Sequence, residues 1–203
     1  MSIQSITTTR HRDGQKLETR RRIIEAAIRV FSRDGILAST TAEVAKEAGL
    51  SHGSVFAHFG TQEFLVSAAI EDFGGALARR LHMLVASGAG TRSVLEAHLR
   101  AIGEREDFYA RLVVEAPLLP AQAQDSLVAI QSSICFHLSP AVAAETRARK
   151  IRPMPLYLLF NTWIGLAHHY LANRALFAPG GSVVERLGEE LLDHFMYLIS
   201  KED

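Results

Sequence analysis

The most informative stretch of the chain is TTAEVAKEAGLSHGSVFAHF, which runs from Thr40 to Phe59. Thr40 is a good helix N-cap, and Glu43 follows three residues later, a spacing typical of a capping box. Gly49 stands where a helix C-terminus favours a residue that tolerates positive φ. Ser51 can cap a second helix, which would turn Phe59 towards the first. The stretch predicts a helix-turn-helix, an arrangement whose second helix can lie in a DNA major groove.

Two short helices joined by a glycine turn also occur as hairpins in unrelated helical proteins, so the flanking sequence matters. On one side lies ETRRRIIEAAIRVFSRDG, from Glu18 to Gly35, and on the other TQEFL, from Thr61 to Leu65. In this order the three segments resemble the DNA-binding domain of the TetR family of transcriptional regulators. The resemblance covers about the first third of the chain.

The resemblance implies an all-α fold. An N-terminal three-helix helix-turn-helix domain would be joined by a long helix to a C-terminal helical ligand-binding and dimerisation domain. We expect a flexible arm at residues 1–15, the DNA-binding domain at 16–61, and the effector-binding and dimerisation domain at 62–203. The arm is either a disordered terminus or a basic segment that reaches the minor groove or a phosphate backbone. The first helix should begin near Lys16 and end before Gly35.

The residues expected to contact DNA lie in and around the second helix of the motif. Gly53 would let the backbone approach the groove closely, while His52 and Ser54 can hydrogen-bond bases or phosphates. His58 and Thr41 resemble the family's phosphate contacts. The full set is Thr41, Ser51, His52, Gly53, Ser54, Phe56, Ala57, His58 and Gln62.

Two positions in this set depart from the family's pattern. Phe56 stands where the family usually carries a tyrosine, and Gln62 stands where it usually carries a lysine. Each departure removes a phosphate-binding group, and phosphate contacts supply much of the affinity and its salt dependence. We therefore expect weaker or more arm-dependent DNA binding than in a typical relative, with a shallow salt dependence. The departures leave open a helical binding or interaction protein with an inactive DNA-reading domain.

The rest of the chain predicts further helices from apolar residues at helical spacing. A long helix capped by Thr61 should run to about Ala86 and could carry a displacement between the domains. Pro140 should open a short helix of its own. A later helix should begin at Pro153 and run to about Phe177.

The last two helices offer an interface. The later helix is apolar almost all round from Leu156 to Leu171, so it needs partners on every side. Ser182 and Glu185 form a second capping box that opens the final helix. The two helices fit a two-fold four-helix interface with a second copy, as the family implies, or they pack inside one monomer.

Polar groups set among apolar ones predict a pocket for a small, largely apolar effector. Each residue taken singly could equally be a satisfied core or surface group, but the family has such a pocket. The effector-binding candidates are Phe108, Tyr109, Leu112, Phe136, His137, Asn161, Trp163 and His168.

Composition limits the other possibilities. The 203 residues carry a formal net charge of zero, with basic residues crowded near the start and acidic residues near the end. A single cysteine excludes an intrachain disulfide and fits a cytoplasmic protein. No signal sequence follows Met1, and the apolar run after Leu156 is too interrupted for a membrane span.

The sequence favours a regulator over an enzyme. It contains no nucleophile elbow, P-loop or dinucleotide fingerprint, and the nine histidines show no metal-ligand spacing, so we expect no cofactor and no metal. A metal-dependent helical enzyme is the remaining alternative of that class. The leading hypothesis is a dimeric, ligand-responsive repressor released from palindromic operator DNA by a small-molecule effector.

Overall fold

A computed structural model describes residues 3–201, with side chains described from residue 13 onwards. These residues form helices joined by short turns, with one isolated antiparallel bridge between Ile151 and Ser200. A short 3-10 turn covers Ala116–Leu118. The helices are α1 Ile3–Asp34, α2 Thr41–Ala48, α3 His52–Phe59, α4 Gln62–Leu84, α5 Thr91–Gly103, α6 Glu106–Glu115, α7 Ala121–Arg147, α8 Leu156–Ala172, α9 Arg174–Phe177 and α10 Val183–Ile199. The predicted all-α class is confirmed.

The chain forms two compact units, one ending at Asp72 and the other beginning at Phe73. The division lies inside α4, which begins in the first unit and ends in the second. The functional boundaries expected after residues 15 and 61 remain predictions.

The first helix begins earlier than the sequence analysis expected. We expected a flexible arm up to residue 15 and a helix from Lys16, but the backbone of α1 is helical from Ile3. The segment lacks glycine and proline before Gly14, so no residue there interrupts the helix. The side chains that would test a DNA-binding role of the arm, at positions 1–12, lie outside the described residues.

The first unit is built on the apolar stripe of α1. Ile23, Ala27 and Phe31 are buried, and α2 packs across this stripe with Val44 and Ala45. Small alanines at these positions allow the helix axes to approach closely. The core therefore forms from the residues whose spacing predicted amphipathic helices.

Pro140 does not open a separate helix, and this expectation was wrong. The helix α7 continues through Pro140 from Ala121 to Arg147. A proline inside a helix costs about 3 kcal/mol because it removes a hydrogen bond and crowds the preceding turn. Ile134 and Leu138 on one side of the proline and Val142 on the other are buried in the same core. Burial on both sides holds the helix continuous despite that cost.

The helix expected to run from Pro153 to Phe177 is divided into α8 and α9. Its first part ends at Ala172, where Nδ2 of Asn173 donates to the carbonyl of His169 at 2.8 Å. The backbone N–H of Asn173 donates to the same carbonyl at 3.2 Å, so Asn173 caps the C-terminal end of α8. Beyond Asn173 the chain forms only the single turn of α9.

The second unit has a continuous apolar core. Residues from α4, α5, α7, α8 and α10 contribute to it, with Trp163 and Phe195 fully buried near its centre. The aromatic rings of these two residues pack with centroids 5.2 Å apart. By length and composition alone, α7 could also cross a membrane, a test that core helices of soluble proteins pass as well.

Candidate functional site

The predicted caps of the helix-turn-helix are confirmed. The backbone N–H of Thr40 donates to Oε2 of Glu43 at 2.7 Å, and the N–H of Glu43 donates to Oγ1 of Thr40 at 3.3 Å. Gly49 has φ of 64°, in the left-handed region that glycine tolerates. Ser51 accepts a hydrogen bond from the N–H of Ser54 and so caps α3. Local residue chemistry therefore fixes where α2 begins and ends and where α3 begins.

Helix α3 buries one side and leaves the other open. Val55 is fully buried and Phe59 is 6% exposed, so these two side chains anchor the helix. His52, Gly53 and Ala57 are exposed on the opposite side. An anchored helix with one open face is the arrangement needed for insertion into a groove.

The two helices of the motif are also joined at their N-termini. Oγ1 of Thr41 lies 2.9 Å from Nε2 of His52, and both side chains lie at the surface. The hydroxyls of Ser51 and Ser54 lie 2.9 Å apart. Four of the predicted DNA contacts therefore form two hydrogen-bonded pairs at the open end of α3.

Gly53 is not required by the packing of its own unit. A Cβ atom built at this position would lie 3.9 Å from Oγ of Ser51, which is ordinary van der Waals contact. The backbone at Gly53 is helical, so an alanine would fit without strain. The space in front of Gly53 is thus available to another molecule.

The two departures from the family pattern differ in their surroundings. Phe56 is 64% exposed and presents its ring to solvent. Gln62 uses its amide inside the unit, because Nε2 donates to the carbonyl of Ser39 at 2.6 Å. Its donor group is therefore already engaged where a lysine would present a charge.

His58 lies in a positively charged environment near the end of α3. Burial lowers the pKa of His58, and the charges of Lys16 and Arg20 lower it further. The guanidinium of Arg20 stacks on the ring of Phe59, 4.4 Å from its centroid, and Nη1 donates to the carbonyl of His58 at 3.4 Å. This group, Lys16, Arg20 and His58, could bind a phosphate.

Sequence reasoning did not find the structural role of Arg22. Its guanidinium donates to the carbonyl of Ala48 at 2.8 and 3.1 Å and to that of Gly49 at 3.3 Å. These bonds connect α1 to the C-terminal end of α2, where helix carbonyls lack intrahelical partners. Its neighbour Arg21 instead pairs with Glu18 and Glu25 on the surface of α1. The local sequence around the two arginines does not show that Arg22 bonds to α2 while Arg21 forms surface ion pairs.

The helix-turn-helix region matches a known protein family. The sequence model of bacterial regulatory proteins of the tetR family matches residues 23–69, which hold α2, α3 and most of the apolar stripe of α1. The N-terminal domain matches the TetR family. The matched region contains every predicted DNA-contact residue.

Curated relatives match only part of the chain. It is 31% identical over 104 residues to the uncharacterized HTH-type transcriptional regulator YerO of Bacillus subtilis, covering 48% of this chain and 36% of YerO. It is 32% identical over 89 residues to the HTH-type transcriptional repressor KstR2 of Rhodococcus jostii, covering 44% of this chain and 42% of KstR2. The chain thus spans less than half the length of these curated relatives.

Solved structures extend the likeness of the fold. A bacterial regulatory protein in the tetR family from Rhodococcus RHA1 aligns with a TM-score of 0.73 at 18% identity. The alignment covers 91% of this chain and 98% of the other. The helical fold of both units is therefore shared, although the sequences have diverged.

Some of the effector-binding candidates lie close together in the second unit, and others do not. Phe108, Tyr109 and Leu112 are fully buried on α6, and the hydroxyl of Tyr109 lies 2.8 Å from Nε2 of His168 on α8. The ring of Phe73 packs against Phe108 and Tyr109, with centroid separations of 5.0 and 5.8 Å.

Three candidates lie elsewhere. Phe136 is 76% exposed, and Asn161 is exposed on α8. His137 is half-buried and packs against His82 on α4, with ring centroids 5.4 Å apart. Burial lowers the pKa of His137, and His82 adds to the effect.

His98 is a buried polar residue that the candidate set omitted. It is 2% exposed on α5, and its Nδ1 accepts a hydrogen bond from Nε1 of Trp163 at 3.2 Å. Burial, together with nearby His168, lowers the pKa of His98 to about 3. Burial lowers the pKa of His168 to about 4. The apolar stripe of α5 contained His98, but its spacing alone indicated only a core position.

Metal-binding geometry is not found in the described part of the chain. No group of three or more histidine, cysteine, aspartate or glutamate side chains there is placed to hold an ion.

Proposed function

We propose that this protein is a dimeric, ligand-responsive regulator of the TetR family that binds operator DNA and most simply acts as a repressor. The open face of α3 carries the proposal, because Val55 and Phe59 anchor the helix while polar residues remain outside. We infer that His52, Gly53 and Ser54 approach the bases. Thr41, His58 and the adjacent Lys16 and Arg20 would contact phosphates on either side of the groove.

A second copy of the chain would complete the DNA-binding form. Apolar side chains are exposed on the last two long helices, with Tyr157 and Leu158 on α8 and Tyr197 on α10. Gly165 on α8 is exposed, and a Cβ atom there would meet nothing within 4 Å. A helix with exposed apolar residues and a gap at a glycine suits close packing against a partner helix. The dimer would place two α3 helices about 34 Å apart, one turn of DNA.

The second unit would bind the effector. Its buried aromatic and polar residues around Tyr109 and His168 suit an apolar molecule with a few polar atoms. The effector would favour a dimer with a different spacing of the α3 helices, and α4 would link the two events because it belongs to both units. By linkage, operator DNA must then weaken effector binding by the same factor. Such a regulator would act in the cytoplasm, where the chromosome is.

Footprinting on the DNA that flanks the protein's own coding region tests the proposal. We expect protection of two half-sites on one face of the duplex, together with a dimer by sedimentation at the same concentration. A monomer that protects no DNA would overturn it.

A second function is favoured by one contact. The amide of Gln62 donates to the carbonyl of Ser39, so position 62 lacks the charged phosphate contact typical of the family. This favours a helical interaction protein with an inactive DNA-reading domain as the second function. In that case the dimer would form normally, yet no DNA sequence would be protected.

A further inference from the structure

The open face of α3 offers few groups that can form hydrogen bonds to bases. The sequence of the helix is HGSVFAHF, so it contains no arginine, lysine, asparagine, glutamine, aspartate or glutamate. These are the side chains that distinguish guanine, adenine and cytosine by bonding to their edges in the major groove. Any base recognition by α3 must therefore use serine, histidine and apolar groups.

The polar groups near the start of α3 are already engaged with one another. The hydroxyls of Ser51 and Ser54 lie 2.9 Å apart, and Oγ of Ser51 also accepts from the backbone N–H of Ser54. Nε2 of His52 lies 2.9 Å from Oγ1 of Thr41, so Nδ1 is the ring nitrogen that can face a base. These contacts reduce the number of donors and acceptors that the helix can present to DNA.

Apolar groups occupy the rest of the open face. Residues four apart lie one above the other on a helix, so Phe56 follows His52 along the axis and Ala57 follows Gly53. Phe56 is 64% exposed, and Ala57 is exposed beside it. Since Gly53 has no side chain, its row presents only the methyl group of Ala57. The feature of a base pair that such side chains contact in the major groove is the C5-methyl group of thymine.

We propose that α3 recognises its half-site mainly through the C5-methyl groups of thymines, which Phe56 and Ala57 contact. The inference rests on the proposed function, because it takes α3 to be the helix that enters the groove. It goes further by naming the base, the group on that base and the two side chains that select it.

Replacing thymine by uracil tests the inference, because deoxyuridine lacks only the methyl group. The native protein first selects a site from random duplex DNA, and each thymine is then changed to deoxyuridine in both half-sites together. At least one such double change should weaken binding about fifteenfold, since burial of one methyl group is worth about fourfold in affinity. If no deoxyuridine lowers the affinity, or if the selected half-sites contain no thymine, the inference is wrong.

Other base analogues provide the controls. At a position that is sensitive to deoxyuridine, a pair of 5-methylcytosine and guanine keeps a methyl group at the same place in the groove. It should therefore bind more tightly than an unmethylated C·G pair. The 7-deaza analogues of guanine and adenine lack the N7 acceptor and should weaken binding less than deoxyuridine does. A larger loss with the 7-deazapurines would show that α3 reads purines instead, which contradicts the inference.

Variants assign the methyl contacts to side chains. Ala57→Gly and Phe56→Ala should each bring the ratio of affinities for thymine and uracil towards one at the position contacted, whereas Phe56→Tyr keeps the ring and should retain the ratio. Each ratio compares two DNAs with the same protein, so a change in the variant's stability cancels. Unchanged ratios in both Ala57→Gly and Phe56→Ala would show that other residues make the contacts.

Failure of this inference and failure of the proposed function give different results. A protein that selects no DNA sequence contradicts the proposed function, and the methyl readout falls with it. A protein that selects an inverted repeat but tolerates deoxyuridine at every position contradicts the methyl readout alone.

Discussion

Oγ1 of Thr41 lies 2.9 Å from Nε2 of His52, so the first residue of α2 holds the first residue of α3. If the hydroxyl donates to Nε2, the opposite nitrogen, Nδ1, carries the proton and can donate to a base or phosphate acceptor. The pair therefore orients an imidazole at the open end of the proposed recognition helix.

Substituting Thr41 by valine should weaken DNA binding about three- to tenfold, because the shape is kept but the hydroxyl that orients His52 is lost. In Thr41→Ser the hydroxyl remains, and most of the affinity should return. Affinities from fluorescence anisotropy on the footprinted DNA check this. Equal loss in the serine and valine variants would show that the methyl group of Thr41 matters, and not its hydrogen bond.

The contacts of Arg22 predict a stability effect that adjacent Arg21 should not share. Arg22→Ala removes charge-assisted bonds to the carbonyls of Ala48 and Gly49 and should lower the free energy of unfolding by about 1–3 kcal/mol. Arg21→Ala breaks only exposed ion pairs with Glu18 and Glu25 and should change stability little. Urea titrations of both variants provide the comparison, and similar losses would contradict the assignment.

Placing the family's usual residues at positions 62 and 56 should have different effects on the salt dependence of DNA binding, because one adds a charged phosphate contact and the other a neutral one. Gln62→Lys should make the slope of log K against log salt steeper by about 2 for a dimer, since each new phosphate contact adds about 0.9. Phe56→Tyr adds an uncharged hydroxyl and should raise affinity with little change in slope. Binding isotherms at four salt concentrations test both. An unchanged slope for Gln62→Lys would mean that position 62 does not face the DNA backbone.

The buried histidines predict a loss of stability in mild acid. The pKa values of His98 and His168 fall to about 3 and about 4 in the folded protein, below the value of about 6.5 expected when unfolded. The unfolded chain therefore binds more protons below pH 6.5, so stability is full above that pH and decreases as the pH falls. Each histidine should cost about 2 kcal/mol between pH 6.5 and pH 5.

Unfolding titrations across this pH range test that prediction. His168→Gln keeps an acceptor for the hydroxyl of Tyr109 and should reduce the pH dependence by about half. A variant with the same pH dependence as the native protein would show that His168 is not held neutral in the fold.

The helix-turn-helix was predictable because its signals are local. Thr40 with Glu43, Gly49 and Ser51 act on the backbone within three or four residues, and each does in the structure what its position indicated. The continuity of α7 through Pro140 was not predictable, since it depends on core packing on both sides of the proline.

The polar interior was predictable only in part. Tyr109, Trp163 and His168 were selected as polar groups among apolar ones, and the structure buries the first two and half-buries His168. His98 shares the same core, but on α5 its spacing is that of an apolar residue, and only the indole of Trp163 from a distant helix reveals its role. The engagement of Gln62 with Ser39 likewise depends on a contact between residues 23 positions apart.

The central claim is that the open face of α3 reads DNA, and Gly53 offers a way to test it. A methyl group at this position fits the fold and would block only a molecule that approaches α3. The most direct measurement selects binding sites from random duplex DNA with the native protein and then compares native and Gly53→Ala affinities for the selected site. We predict an inverted repeat with half-sites one helical turn apart, and at least tenfold weaker binding by a Gly53→Ala protein of undiminished stability. If no sequence is enriched, or if Gly53→Ala binds the selected site as tightly as the native protein, α3 is not the element that reads DNA.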